Sequence, residues 1–144
     1  MTVSHILKVK GRDVVTAVST AKVSDVARTL SEKRIGAVVI TGAGGKIEGI
    51  VSERDVVRHI GKDGAKALDL QVSAIMTRNV RKARDGDSES ELMALMTEHR
   101  IRHLPVVNDG KLAGMISIGD VVKHRIEAIE READEMKAYI ATAG

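Results

Sequence analysis

The 144 residues contain no cysteine, no tryptophan and no phenylalanine, and a single tyrosine. Without cysteine there is no disulfide framework, thiol nucleophile, iron–sulfur cluster or sulfur-ligated zinc, and a reducing compartment fits. One aromatic ring cannot hold single-stranded nucleic acid by stacking, a mode that needs several exposed rings. No apolar run approaches the roughly 18–20 residues of a membrane span, and Met1-Thr2-Val3-Ser4-His5 has neither the basic start nor the apolar stretch of a secretory signal. A cytoplasmic protein with no membrane partner is expected. Charge of either sign is nearly balanced: residues 1–70 carry 12 Lys/Arg against 8 Asp/Glu, and residues 71–144 carry 11 against 12. No long basic block stands out for duplex nucleic acid. What remains is 43% hydrophobic and 30% charged. The chain is long enough for one compact domain, or two small ones sharing a core, burying roughly 65–70% of its unfolded surface. That core must be aliphatic.

The chain repeats itself. Ser31-Glu32-Lys33-Arg34-Ile35 matches Thr97-Glu98-His99-Arg100-Ile101 at an offset of 66, and Gly45 through His59 matches Gly110 through His124 at an offset of 65, with eight of fifteen pairs identical. Weaker matches continue upstream (Val14 with Val80, Ala17 with Ala83, Ser24 with Ser90), and the lead-ins Val3-Ser4-His5-Ile6-Leu7 and Val72-Ser73-Ala74-Ile75-Met76 agree. A repeat of this size is one supersecondary unit that buries its apolar face against its copy.

Each copy reads as a short lead-in helix and then β-α-β-β-α. An extended segment (Val14–Val18, then Val80–Arg84) precedes an amphipathic helix with apolar Val23, Val26, Ala27 and Leu30, or Leu92, Leu95 and Met96. Ser24 and Ser88 lie near those helix starts as candidate caps. A hairpin follows, 37–40 with 47–51 or 104–107 with 112–117, turning through Gly42-Ala43-Gly44-Gly45 or Asn108-Asp109-Gly110. A second helix starts near Asp55 or Asp120. Pro105 cannot donate to a ladder, so its strand is expected at an edge or with that position facing outward. Gly61–Leu70 reads as a linker. Val122, Ile126, Ile129, Ala133, Met136 and Ile140, spaced 4, 3, 4, 3, 4, form a coiled-coil-like seam on a helix continuing from the second copy. Residues 3–66 and 72–126 are thus two domains of an α/β (α+β) protein, packed as a pseudo-twofold pair, and 127–144 is a C-terminal helical extension.

The repeated polar residues Ser52/Asp55 and Ser117/Asp120 carry the chemistry. One reading is a helix N-terminus, serine capping and aspartate stabilised by the dipole, for roughly 0.5–2 kcal/mol. The other is a nucleoside clamp, in which the carboxylate accepts hydrogen bonds from two vicinal ribose hydroxyls while the serine and the helix-start amides face a phosphate. Gly45-Lys46 is no phosphate loop, since residue 40 is isoleucine where the motif needs glycine and no Ser/Thr follows the lysine. The histidines show no zinc spacing; His59 and His124 fit solvated or capping roles. Arg78, Arg81, Lys82 and Arg84 read as a solvated edge that would favour polyphosphates if it borders a ligand cleft.

The pattern G-[apolar]-[apolar]-S-x-x-D-V-V after an R-I-x-x-[apolar]-P-V-V strand, twice in one chain with V-S-x-I-M lead-ins, closely resembles the tandem cystathionine-β-synthase-type (CBS) domain pair over residues 3–126. The resemblance implies two clefts for adenosine-containing ligands: AMP, ADP, ATP, S-adenosylmethionine or NAD-type dinucleotides, with or without Mg²⁺. It implies that Asp55 and Asp120 hold ribose hydroxyls, that Ser52 and Ser117 lie beside ribose or phosphate, and that Arg102 and His103 reach phosphate oxygens. It also implies that Thr16-Ala17-Val18 and Lys82-Ala83-Arg84 read adenine through their backbone, and that Pro105 borders the ligand. The first copy departs from the pattern, with Gly36-Ala37 in place of Arg102-His103 and Val39 in place of Pro105; Arg54, opposite Gly119, is the candidate to supply the missing cation. No nucleophile or acid–base pair recurs at matching positions. The expectation is a stand-alone, non-catalytic regulatory module that needs no cofactor beyond its nucleotide ligand, forms a homodimer and acts on an enzyme or transporter partner. The alternative is an interaction module with empty clefts, whose acidic tail (Glu127, Glu130, Glu132, Asp134, Glu135) docks a partner.

Overall fold

The computed structural model describes residues 2–143. The first copy comprises helix α1 (Val3–Lys10), strand β1 (Thr16–Ala17), α2 (Val23–Lys33), β2 (Ala37–Thr41), β3 (Ile47–Ser52) and α3 (Glu53–Asp63). After 3₁₀ turns at Gly64–Asp69 and Val72–Ala74, the second copy supplies α4 (Glu89–His99), β4 (His103–Asn108), β5 (Lys111–Ser117) and α5 (Ile118–Ala143). β1 runs parallel to β2, and β2 antiparallel to β3; β4 and β5 form the matching antiparallel hairpin.

The two copies differ at their first strand, and Pro105 is the cause. Val39 donates its N–H to Val15 O (3.3 Å), helping to hold β1 against β2. Pro105 stands at the equivalent place and has no N–H to give. The segment expected as a strand at Val80–Arg84 is therefore reduced to one parallel bridge, Ala83 with Val106, held by Ala83 N–H to Pro105 O and Val107 N–H to Ala83 O, 2.9 Å each. Pro105 itself is buried rather than outward-facing, but β4 pairs with β5 alone in a two-stranded sheet, so the other arm of the expectation, an edge strand, holds.

The lead-ins are exchanged. Val3, Ile6 and Leu7 of α1 pack with Leu92, Met96, Leu104, Val106, Ile116 and Val121 of the second copy. Val72, Ile75 and Met76 pack with Val23, Val26, Leu30, Val38, Ile40 and Val51 of the first. Matching hydrogen bonds fix both: Val3 N–H to Asp87 O and Ser4 N–H to Asp85 O, against Val72 N–H to Ala21 O and Ser73 N–H to Ser19 O. The two packed units thus interleave, each completing the other's core. Gly49 and Gly114, equivalent by sequence, are where the lead-ins come closest. A β-carbon on Gly49 would lie 2.7 Å from Met76 Sδ and 2.9 Å from Thr77 O, and one on Gly114 2.9 Å from both Leu7 Cδ atoms.

Between the units lie Ala37, Val39 and Met115, with Val14, Ile47, Ile50 and Leu112 packed around them. β2 consequently buries Val38 and Ile40 on one face and Ala37 and Val39 on the other, which is why its sequence is continuously apolar rather than alternating. The largest fully buried side chains are Leu, Ile and Val, as the composition requires.

Local details depart from expectation at three places. Ser88 caps α4, its Oγ accepting from Glu91 N–H at 3.1 Å, but α2 begins two residues earlier than a Ser24 cap would allow, with Lys22 at its N-cap and no side-chain cap. The Gly61–Leu70 segment is a packed connection, with Ala67 fully buried and Leu68 against the first core. His124 is buried against Glu89, Nδ1 to Oε2 3.1 Å, because its helix face turns into the second unit rather than to solvent. Among the described residues no helix is long and apolar enough to cross a membrane.

Candidate functional site

The exchanged lead-ins decide what surrounds each Ser-x-x-Asp. Ser52 ends β3 and is the N-cap of α3. Its Oγ accepts from Asp55 N–H (3.2 Å), and Asp55 Oδ2 accepts in return from Ser52 N–H (2.9 Å) and Ser52 Oγ–H (3.1 Å). The capping role is therefore real. It occupies one carboxylate oxygen only. Asp55 Oδ1 has the exposed Arg58 at 3.6 Å and keeps acceptor capacity, on a side chain otherwise buried.

A cleft of about 300 Å³ opens beside it, walled by the start of α3 (Ser52, Glu53, Arg54, Asp55, Arg58), by Gly36, Ala37 and Ile50, by Thr77, Asn79, Val80 and Arg81 of the crossing lead-in, and by His99 through His103. Thr77 is held there by a two-way backbone bridge to Ile50, 3.0 and 2.9 Å. Among the described residues five arginines (54, 58, 81, 100, 102) line the cleft against two carboxylates, Glu53 and Asp55. With the N–H groups of the α3 start, this is a field for an anion.

The second Ser-x-x-Asp is built alike but is not open in the same way. Asp120 Oδ2 accepts from Ser117 N–H (2.8 Å), and Asp120 N–H donates to Ser117 Oγ (3.1 Å). Lys10, delivered by the exchanged α1, then places Nζ 2.6 Å from Asp120 Oδ2 and 2.7 Å from Met115 O. Burial alone would raise the Asp120 carboxyl, but the Lys10 and Ser117 hydrogen bonds and the Lys10 charge outweigh it and hold it below the usual carboxylate value. The equivalent edge in the first unit, at Ile50, is taken by the Thr77 backbone, and there the aspartate is left without a lysine.

His103 lies between the two sites. A β-carbon on Gly36 would fall 2.8 Å from its ring atoms Cε1 and Nε2, so the first copy's departure to glycine makes room for this imidazole. Burial, and then the Lys10 charge, push His103 below the ordinary histidine value, with Glu53 and Asp120 acting the other way. Its surroundings thus favour the neutral imidazole over the cation.

Of the residues expected at a ligand site, Ser52, Arg54, Asp55, Arg102 and His103 come together in the cleft. Ser117 and Asp120 stand with Lys10. Lys82, Ala83 and Arg84 do not line the cleft. The Ala83–Val106 bridge buries Ala83 in the second core, and the three residues border a separate open depression with Asn108, Asp109 and Gly110. Thr16, Ala17 and Val18 likewise lie off the cleft, on and beside β1. The stretch that does line it, Thr77–Arg81, begins three residues ahead of the expected strand. Lys10 and Thr77 were not foreseen because their positions depend on the exchange of lead-ins; the shared V-S-x-I lead-in motif was the only signal of it. Among the described residues no group of three or more His, Cys, Asp or Glu side chains could hold a metal ion.

Known proteins share both sequence and architecture. A sequence profile of the CBS domain matches residues 3–62 and again 72–127. The mitochondrial CBS domain-containing protein CBSX3 of Arabidopsis thaliana is 32% identical over 147 aligned residues, 96% of this chain and 71% of that protein. The crystal structure of the CBS-domain containing protein ATU1752 from Agrobacterium tumefaciens superposes with a TM-score of 0.84 at 46% identity, covering 86% of this chain and 92% of that one. The solved structure of the CBS domain protein PAE2072 from Pyrobaculum aerophilum complexed with AMP superposes with a TM-score of 0.74 at 31% identity, covering 83% of this chain and 89% of that one. With two profile matches spanning most of its length and a shared fold, the chain belongs to the CBS-domain family and carries two copies of the domain.

Proposed function

We propose that the chain is a non-catalytic regulatory module that binds an adenosine nucleotide in the cleft beside Ser52 and Asp55. The observation that carries this is the pairing, in one cleft of about 300 Å³, of a carboxylate whose Oδ1, 3.6 Å from Arg58, keeps acceptor capacity with a surplus of arginines. Such a volume is at the lower end for small-molecule sites, about 300–1,000 Å³. Asp55 Oδ1 accepts from the ribose hydroxyls, Ser52 Oγ lies beside the ribose, and Arg54, Arg81 and Arg102 take the phosphates. The Thr77–Val80 backbone and Ile50 flank the base, so adenine is held by peptide groups and aliphatic contacts rather than by rings. The AMP complex of a 31%-identical relative supports the ligand class. Arginines in this number suit AMP, ADP, ATP or an NAD-type dinucleotide, a polyphosphate coming with or without Mg²⁺. The Ser117/Asp120 site is secondary, because Lys10 already pairs with Asp120 Oδ2 at 2.6 Å and competes with a ribose for that carboxylate, although Oδ1 keeps acceptor capacity. The output is a change in the angle between the two units, read by an enzyme or transporter partner.

Calorimetric titration of the purified chain with AMP, ADP, ATP and NAD⁺ tests this. Saturable binding of at least one of them, with a matching rise in melting temperature, is expected. No heat and no thermal shift with any of the four would overturn the proposal in favour of a purely structural pair.

A further inference from the structure

α5 runs for 26 residues, but only its first turns rest on the protein. Val121 and His124 are buried against the second unit; from Arg125 to Ala143 no described residue is buried. That leaves roughly 27 Å of helix projecting, at about 1.5 Å per residue. An isolated helix of this length is marginal in water. The projecting part carries an apolar stripe at coiled-coil spacing: Val122, Ile126, Ile129, Met136 and Ile140 are 44–63% exposed, with Ala133 also exposed among them. In heptad terms Ile126, Ala133 and Ile140 take position a, and Val122, Ile129 and Met136 position d. Val121 and His124 fall on the other side of the helix, so docking on the second unit leaves the stripe free.

We infer that this stripe pairs with the same stripe of a second copy, as a parallel, in-register, two-stranded coiled coil. The charges flanking it choose the partner and the direction. Position g holds Arg125 and Glu132, and position e holds Glu130 and Lys137. In a parallel pair each g residue faces the e residue five places on in the other chain. Arg125 then meets Glu130 and Glu132 meets Lys137, twice each by symmetry. In the antiparallel alignment that overlaps the same stripe, Glu130 meets Glu130, Glu132 meets Glu132 and Lys123 meets Lys137. Parallel pairing thus joins Glu130, Glu132 and Lys137 to opposite charges where antiparallel pairing joins them to like ones, and leaves Lys123 facing the uncharged Ile118. Arg125 also lies 3.9 Å from Glu89 of its own chain, at an exposed guanidinium with donors to spare. Ala133, the small residue at the middle of the stripe, allows two helices to approach closely there. The inference does not depend on the nucleotide cleft.

The lack of native cysteine gives a clean test in the full-length chain. Ala133→Cys, at position a, should form a disulfide-linked dimer under copper–phenanthroline at micromolar protein at least tenfold faster than Arg131→Cys, on the outer face at f. Light scattering should report twice the 15.5 kDa of one chain. In the Ala133→Cys background, Lys137→Glu should slow cross-linking, and adding Glu132→Lys should restore it. Equal cross-linking at 131 and 133, a trimeric or tetrameric mass, or faster cross-linking on Lys137→Glu, as the antiparallel arrangement requires, would overturn the inference.

Discussion

Replacing Lys10 with methionine should turn a one-nucleotide chain into a two-nucleotide chain. Lys10 Nζ holds Asp120 Oδ2 at 2.6 Å and Met115 O at 2.7 Å. The ion pair is partly exposed, 34% on the lysine and 24% on the aspartate. It therefore contributes about 0.5–1 kcal/mol rather than the several a buried pair would give. The bond to the Met115 carbonyl adds about 1 kcal/mol. A ribose that takes the place of the Lys10 ammonium displaces both contacts, which weakens binding there by about 10–30-fold. Methionine keeps the length and apolar stem while removing the donor. Calorimetry with the tightest of the four nucleotides should give one site per chain in the parent and a second, strengthened by about 10–30-fold, in Lys10→Met. Unfolding in urea should show a loss no greater than about 2 kcal/mol. Two equal sites in the parent, or a single unchanged site in the variant, would refute Lys10 as the group that distinguishes the clefts.

Two further outcomes follow from the packing and the electrostatics. Gly49→Ala presses a β-carbon onto a backbone oxygen, Thr77 O at 2.9 Å, whereas Gly114→Ala meets only side-chain atoms, the Cδ carbons of the buried Leu7 at 2.9 Å. Denaturant unfolding should therefore show a loss of about 1–3 kcal/mol for Gly49→Ala and a smaller one for Gly114→Ala; the reverse order would contradict the close approach of the exchanged lead-in. His103, depressed by burial and the Lys10 charge, should titrate below about 6.5 by NMR and move upward in Lys10→Met. Since its folded value is the lower one, the unfolded chain takes up the proton first. Its contribution to stability is complete above about pH 6.5 and is lost as pH falls through that value toward the folded one.

What was legible in the sequence was what is encoded locally. The hairpins announce themselves through turn residues, and Asn108-Asp109-Gly110 reaches positive φ at Asp109 and Gly110. The amphipathic spacing of Val23, Val26 and Leu30 needs only a helix period, and the duplicated Ser-x-x-Asp forms its capping hydrogen bonds within four residues. Illegible was whatever depends on which copy a segment packs against. Val3–Lys10 and Val72–Met76 have the same sequence character, and nothing local says that each crosses to the other unit. That exchange puts Thr77–Arg81 on the first cleft and Lys10 on Asp120, and it leaves Lys82–Arg84 and Thr16–Val18 outside. Pro105 reads correctly as a lost donor on an edge strand, although its side chain is buried. Its effect is to shorten the neighbouring segment, not to turn the strand outward.

The central claim is that Asp55 holds the ribose of an adenosine nucleotide, and Asp55→Asn tests it most directly. Asparagine keeps one oxygen for the Ser52 amide, so the cap of α3 is largely retained while the charge is removed. A charge-assisted hydrogen bond of about 1.5–3 kcal/mol corresponds to about a 10–150-fold rise in Kd by calorimetry, with the melting temperature of the nucleotide-free protein little changed. Undiminished affinity in Asp55→Asn would contradict the assignment of this cleft.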